Sequence, residues 1–158
     1  MSVTTDIDEV LSVRLQRVID AAPESIFTAF TEPDQIVQWW GPQGITTDRA
    51  EINLTPGGAF AYRMVADDGS YEGEMSGRFV EITPPTRLVF EILVHCNGAP
   101  HLFDATTIPT TTVTIDLRPL GDGRTELTLT HTGFTDEITA GAHNGGWSSS
   151  LEKLTATI

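Results

Sequence analysis

Few side chains in this 158-residue chain are suited to chemistry, and two histidines come first. His131 falls on the inner phase of an alternating apolar segment, and His143 sits four residues before Trp147. Either could accept or donate a proton near neutral pH, and either equally suits a structural histidine satisfied inside a core. Tyr62, Tyr71, Met75 and Phe90 share one phase with the small Gly73 and Gly77. Large apolar side chains interleaved with glycines can leave a pocket floor uncovered, and a tyrosine hydroxyl there could orient a polar group on a greasy ligand. The plainer alternative is that these residues pack beneath a helix. Trp39 and Trp40 are adjacent; on a helix their directions differ by about 100°, so one indole can join the core while the other faces a cavity mouth.

Other chemistries find little support. His95, Cys96 and His101, with Asp104 nearby, imitate a metal site but lie in a Pro- and Gly-containing connection without regular ligand spacing, so no metal is expected. Cys96 is the single cysteine, which excludes an intrachain disulfide, a cysteine zinc site and a CxxC motif. No basic neighbour lowers its pKa, and it reads as a small apolar filler. Pro56-Gly57-Gly58 precedes a strand rather than a helix and is no phosphate loop. No Ser-His-Asp order and no carboxylate pair stands out, and no cofactor is implied.

The elements that must position these residues follow from periodicity. Leu11, Val13 and Leu15 alternate with Ser12, Arg14 and Gln16 as a first strand. Ala22-Pro23-Glu24 opens a short helix with Ile26, Phe27 and Phe30 on its apolar face, and Thr31-Glu32-Pro33-Asp34 opens a second, with Thr31 as its cap. The pattern then changes to strands: Glu51 to Leu54, Phe60 to Met64, Tyr71 to Phe79, Arg87 to His95, Thr111 to Leu117, and Leu127 to His131. Cys96 to Pro109 reads as a long connection. From Thr135 to Ile158 one long helix is expected, with Ala140, Asn144, Trp147, Leu151, Leu154 and Ile158 on one face. Its first half is too small or too polar to fill a core. Gly145-Gly146 costs roughly 1 kcal/mol per glycine against alanine, so either a break between two helices or close approach by a ligand or a backbone is expected there.

Short turns make the successive strands antiparallel, giving an α+β domain with a curved seven-stranded sheet and the last helix across its concave face. A single domain over residues 11–158 behind a disordered tail, 1–10, fits the length. The net charge of −13 argues against nucleic acid or an anionic membrane surface as partner. No run approaches the roughly 20 apolar residues of a membrane helix, and Met1 to Glu9 lacks the basic start and apolar run of a secretion signal. A cytoplasmic monomer or homodimer is the expectation.

These elements and their motifs resemble the helix-grip fold of the START-like or SRPBCC superfamily, also known from birch-pollen allergens, and within it the activator of heat-shock ATPase (Aha-type) family. The resemblance is carried by Ala22-Pro23-Glu24-Ser25-Ile26-Phe27 with Phe30-Thr31-Glu32-Pro33, by Gln38-Trp39-Trp40-Gly41-Pro42, by Pro56-Gly57-Gly58, by Pro84-Pro85-Thr86-Arg87-Leu88, and by Gly146-Trp147 with Leu151 and Leu154. It implies a deep apolar cavity between sheet and last helix, but no particular reaction.

The expected function is binding of a hydrophobic small molecule, a lipid, polyketide or aromatic metabolite, at Trp39, Trp40, Tyr62, Tyr71, Met75, Phe90, His131, His143, Trp147 and Leu151. One alternative is a polyketide cyclase or dehydratase using His131 or His143 with a tyrosine. A second, suggested by the family name, is a chaperone ATPase co-regulator; the chain lacks the additional N-terminal domain of the eukaryotic activators, which weighs against it.

Overall fold

A computed structural model describes residues 11–95 and 109–158. The suggested tail, 1–10, and the imitation of a metal site at Cys96, His101 and Asp104 lie outside the described residues. Strand β1 (Val13–Ile19) is followed by helices α1 (Pro23–Thr31) and α2 (Pro33–Trp39). Six strands come next: β2 (Ile45–Ile52), β3 (Ala59–Ala66), β4 (Glu72–Thr83), β5 (Arg87–Val94), β6 (Thr111–Gly121) and β7 (Arg124–Thr132). Helix α3 (Glu137–Thr157) ends the chain.

The strands form one antiparallel sheet in the order β1-β7-β6-β5-β4-β3-β2. Neighbours in sequence are neighbours in space except at β1, which pairs with β7; α1 and α2 therefore carry the chain from one edge of the sheet to the other. This is the antiparallel α+β arrangement the periodicity implied, and the helix-grip architecture the resemblance implied. Alternation puts Phe60, Tyr62 and Met64 of β3, Met75 and Phe79 of β4, and Phe90 and Ile92 of β5 on the concave face, all buried. Charged residues on the outward phase of the same strands pair across the ladder, Arg63 with Asp48 and Glu72, and Arg87 with Glu81 and Asp116.

One close approach brings β4 and β5 together near the middle of the sheet. A Cβ at Gly77 would stand 1.9 Å from the Glu91 carbonyl and 2.7 Å from the Phe60 ring, so only glycine lets β4 and β5 meet there.

Three local expectations are corrected. Strand β2 runs from Ile45 to Ile52 rather than from Glu51 to Leu54: a register shift between Thr47 and Arg49 interrupts the alternation on which the reading depended. Thr31 does not cap α2. It closes α1, donating its hydroxyl to the Phe27 carbonyl at 2.9 Å, and Glu32, at the N-cap of α2, makes no side-chain cap bond. Helix α3 is continuous through Gly145-Gly146, and a Cβ at either glycine would meet nothing within 4 Å, so neither a break nor another backbone accounts for them. Asp136 caps that helix by accepting from the Thr139 N–H at 2.7 Å and the Thr139 hydroxyl at 2.8 Å, which holds its carboxyl below the usual range.

Ala140, Trp147, Leu151 and Leu154 form the buried face of α3, whereas Asn144 and Ile158 are exposed. No described helix is long and apolar enough to cross a membrane.

Candidate functional site

The two tryptophans at the end of α2 divide the labour. Trp39 is the last helical residue; its indole N–H donates to the Ala29 carbonyl at 2.9 Å and its ring meets Phe30 at 4.8 Å, which locks it between the two short helices. Trp40 has left the helix, with an extended backbone at φ −65° and ψ 129°, and so does not keep the helical 100° offset from Trp39. Thr47 donates to its carbonyl at 2.9 Å. The chain then turns sharply at Gly41, where φ is +110° and a Cβ would stand 3.1 Å from the Ile45 carbonyl, so that a side chain would be strained.

So placed, the Trp40 ring contacts Trp147 of α3 at 5.2 Å, Tyr62 at 4.9 Å and Phe90 at 6.2 Å. Phe60 and Phe79 continue this aromatic column along the sheet. The column, with Leu151 and Leu154, fills the groove under the C-terminal half of α3.

Under the other half a cavity of about 280 Å³ remains. Helix α3 supplies one wall through Ala142, His143, Gly145, Gly146, Trp147 and Ser150. Trp40, Gly41, Pro42 and Ile45 supply the opposite rim, and Met64, Tyr71, Met75, Ile92 and His131 the floor. Two ties hold rim to helix: Lys153 Nζ donates to the Gly41 and Ile45 carbonyls at 3.1 and 3.0 Å, and Ser149 Oγ accepts from the Gln43 N–H at 2.6 Å.

The polar end of the cavity is a chain of buried groups. Trp147 Nε1–H can only donate, and it points at His131 Nδ1 at 3.0 Å, so that nitrogen must be a lone pair. The proton of the ring then sits on Nε2 and is donated to Thr111 Oγ1 at 2.7 Å. Thr111 in turn places its own hydrogen toward His95 Nε2 at 2.8 Å, which leaves the His95 proton on Nδ1. That Nδ1 has no hydrogen-bond partner among the described residues.

His143 faces both rings, with centroids 5.4 Å from His131 and 5.6 Å from His95, and its Nδ1 donates to the Thr139 carbonyl at 2.9 Å. Burial, reinforced by His143 and His95, drives the His131 pKa well below its ordinary value. His95 is pushed down to about 4 by burial and by His143, and His143 is lowered by burial against the opposing pull of the Thr139 carbonyl. Three neutral imidazoles therefore lie side by side near pH 7. With one nitrogen accepting from Trp147 and the other donating to Thr111, His131 has no position left for proton transfer to a substrate. Among the described residues no group of three His, Cys, Asp or Glu is placed to hold a metal ion.

The sequence profile of the family described as activator of Hsp90 ATPase homolog 1-like protein matches residues 20–158. The chain belongs to this family. Solved structures agree: a Chromobacterium violaceum protein is 28% identical with a TM-score of 0.80, covering 94% of this chain and 96% of its own. An AHSA1 protein from Silicibacter pomeroyi is also 28% identical, with a TM-score of 0.75 over 92% and 96% of the two chains. An Arthrobacter aurescens protein is 26% identical, with a TM-score of 0.76 over 94% and 86%. No match was found among curated proteins.

In this member of the activator-like family, Trp40, Tyr71, Met75, His131, His143 and Trp147 meet at the cavity. Trp39, Tyr62, Phe90 and Leu151 lie beneath it, each buried in the packing that supports the walls. Burial also raises the Tyr62 phenol far above its ordinary pKa, so it stays protonated. Sequence reasoning missed Met64 and Ile92, although both carry the concave phase of Tyr62 and Phe90. Gly41, Pro42, Ile45, Ala142 and Ser150 had no local signal; they reach the cavity through the docking of the rim on α3.

Proposed function

We propose that this protein binds an apolar small molecule, of about two fused rings, in the cavity between the sheet and the first half of α3, and performs no reaction on it. The observation that carries this reading is the unfilled space opposite Gly145 and Gly146, walled by Trp40, Trp147, Tyr71, Met64 and Met75. A cavity of about 150 Å³ lined by aliphatic side chains takes up benzene. The volume here, about 280 Å³, matches a bicyclic aromatic molecule rather than a diacyl lipid. Tryptophan edges and methionine sulfurs favour aromatic guests over plain alkyl chains.

Thermal unfolding against a panel of lipids, polyketides and aromatic metabolites tests the reading. A fitting ligand at 100 times its Kd adds about 2.7 kcal/mol of stability. A Gly146→Phe variant, which plugs the space, should fold and lose that response. If no panel member stabilises the protein, or if the plugged variant responds as the parent does, binding in this cavity is refuted.

A further inference from the structure

The groove under α3 is open toward one end and packed toward the other, and on two strands the change falls between neighbouring inward residues. On β3 Met64 lines the cavity and Tyr62 does not; on β5 Ile92 lines it and Phe90 does not. The two members of each pair are consecutive on the concave face, so the floor itself runs on. Trp40 stands at that step. Its ring meets Tyr62 at 4.9 Å and Phe90 at 6.2 Å on the sheet side, and Trp147 at 5.2 Å on the helix side, so it reaches from the floor of the groove to its roof. Trp40 and Trp147 both line the cavity. Phe60, Phe79, Leu151 and Leu154 are buried beyond them and do not line it.

Both indoles are braced. Trp39, whose own N–H is bonded to the Ala29 carbonyl, backs the Trp40 ring at 5.4 Å, and the Thr47 hydroxyl holds the Trp40 carbonyl at 2.9 Å. Trp147 is pinned through its N–H to His131 Nδ1 at 3.0 Å. Either ring would have to give up these contacts to make room for a longer guest.

We infer that Trp40, set against Trp147, is the stop that fixes the length of the guest: it holds the cavity to two fused rings and refuses a third laid along the groove. The inference rests on the binding reading above and names the residue that selects within it. A rigid aromatic guest cannot fold back on itself, and forcing another ring into close-packed side chains displaces them from their rotamers. In a groove that ran on, the same ring would instead add favourable apolar burial. The sign of the size preference therefore separates a stop from an open channel.

The test uses 2-naphthol and its linear three-ring homologue 2-anthrol, titrated at pH 7.5 and followed by the fluorescence of the probes themselves. With the parent protein, 2-anthrol should bind at least about tenfold more weakly than 2-naphthol. In Trp40→Leu the preference should reverse, with 2-anthrol the tighter of the two. Trp40→Phe keeps a ring against the column and disturbs the fold less; it should raise the ratio of 2-anthrol to 2-naphthol affinity by about threefold. Phe79→Leu removes a ring of the same column beyond the stop, so its ratio should stay that of the parent. Parent protein that binds 2-anthrol as tightly as 2-naphthol overturns the inference and leaves the binding reading intact. So does a parent-like ratio in the Trp40 variants, or a ratio that rises as far in Phe79→Leu as in Trp40→Leu, which would make size selection a property of general packing. Parent protein that does not bind 2-naphthol overturns the binding reading and this inference with it.

Discussion

His131 has a donor on one side and an acceptor on the other, and a protonated ring would set two N–H groups against each other at Trp147. Its neutrality follows from the partners before any effect of burial is added. His131→Phe would strip the indole N–H of its partner and Thr111 of one of its two in a closed interior, and unsatisfied buried groups cost about 1–3 kcal/mol each. Urea unfolding at pH 7.5 should show a loss of at least about 2 kcal/mol; a loss below about 0.5 kcal/mol would mean the chain of hydrogen bonds is energetically idle. The same neutrality makes stability depend on pH. His95, His131 and His143 all have lowered folded-state pKa values, so below about pH 6.5 the unfolded chain takes up protons that the fold refuses. Stability is full above that pH and declines as pH falls, until the folded values are reached, at about 4 for His95. At pH 5.5 each histidine held neutral should subtract about 1.4 kcal/mol. Urea midpoints that do not change between pH 7.5 and 5.5 would contradict this.

Helix α3 carries three interior glycines, and they are not equivalent. Gly145 and Gly146 line the cavity, whereas Gly141 does not; an added Cβ meets nothing at any of the three. Gly141→Ala and Gly146→Ala should therefore each stabilise the fold by roughly 1 kcal/mol through helix propensity. Only Gly146→Ala should weaken binding of a bicyclic probe, measured by fluorescence titration on the same samples. Equal effects on binding would mean that the glycines set helix flexibility rather than cavity space. Gly77→Ala behaves oppositely: its Cβ would collide with the Glu91 carbonyl, and a loss of at least about 2 kcal/mol in chemical denaturation is expected, with a neutral result excluding the close approach of β4 and β5. At this scale the sequence was informative wherever alternation was uninterrupted, as in β3 to β7. It misled at β2, an edge strand whose irregular step at Thr47 hides its first half among polar residues.

Across the whole molecule the fold was legible because a period of 2 and a period of 3.6 each oblige an element to bury one face, and few arrangements satisfy the ten elements of the described residues together. The cavity was legible in outline for a related reason: His143, Gly145 and Gly146 cannot fill what Trp147, Leu151 and Leu154 fill further along. Its composition was less so. Which of Trp39 and Trp40 turns toward the space depends on where α2 ends, a boundary that local sequence leaves loose by a residue or two. The His95–Thr111–His131 chain joins the ends of three strands that meet only through sheet order, and Gly41 to Ile45 reach the rim only through Lys153 and Ser149.

The three tryptophans offer the most direct test that the groove under α3 is left open for a guest. Their indole N–H signals can be followed separately in a two-dimensional nitrogen–proton spectrum while 2-naphthol is added. Trp40 and Trp147, which line the space, should shift together and saturate, while Trp39, whose N–H is bonded to the Ala29 carbonyl on the far side, should move least. Signals from Trp40 and Trp147 that stay fixed at millimolar probe, or three signals that drift alike without saturating, would contradict the account.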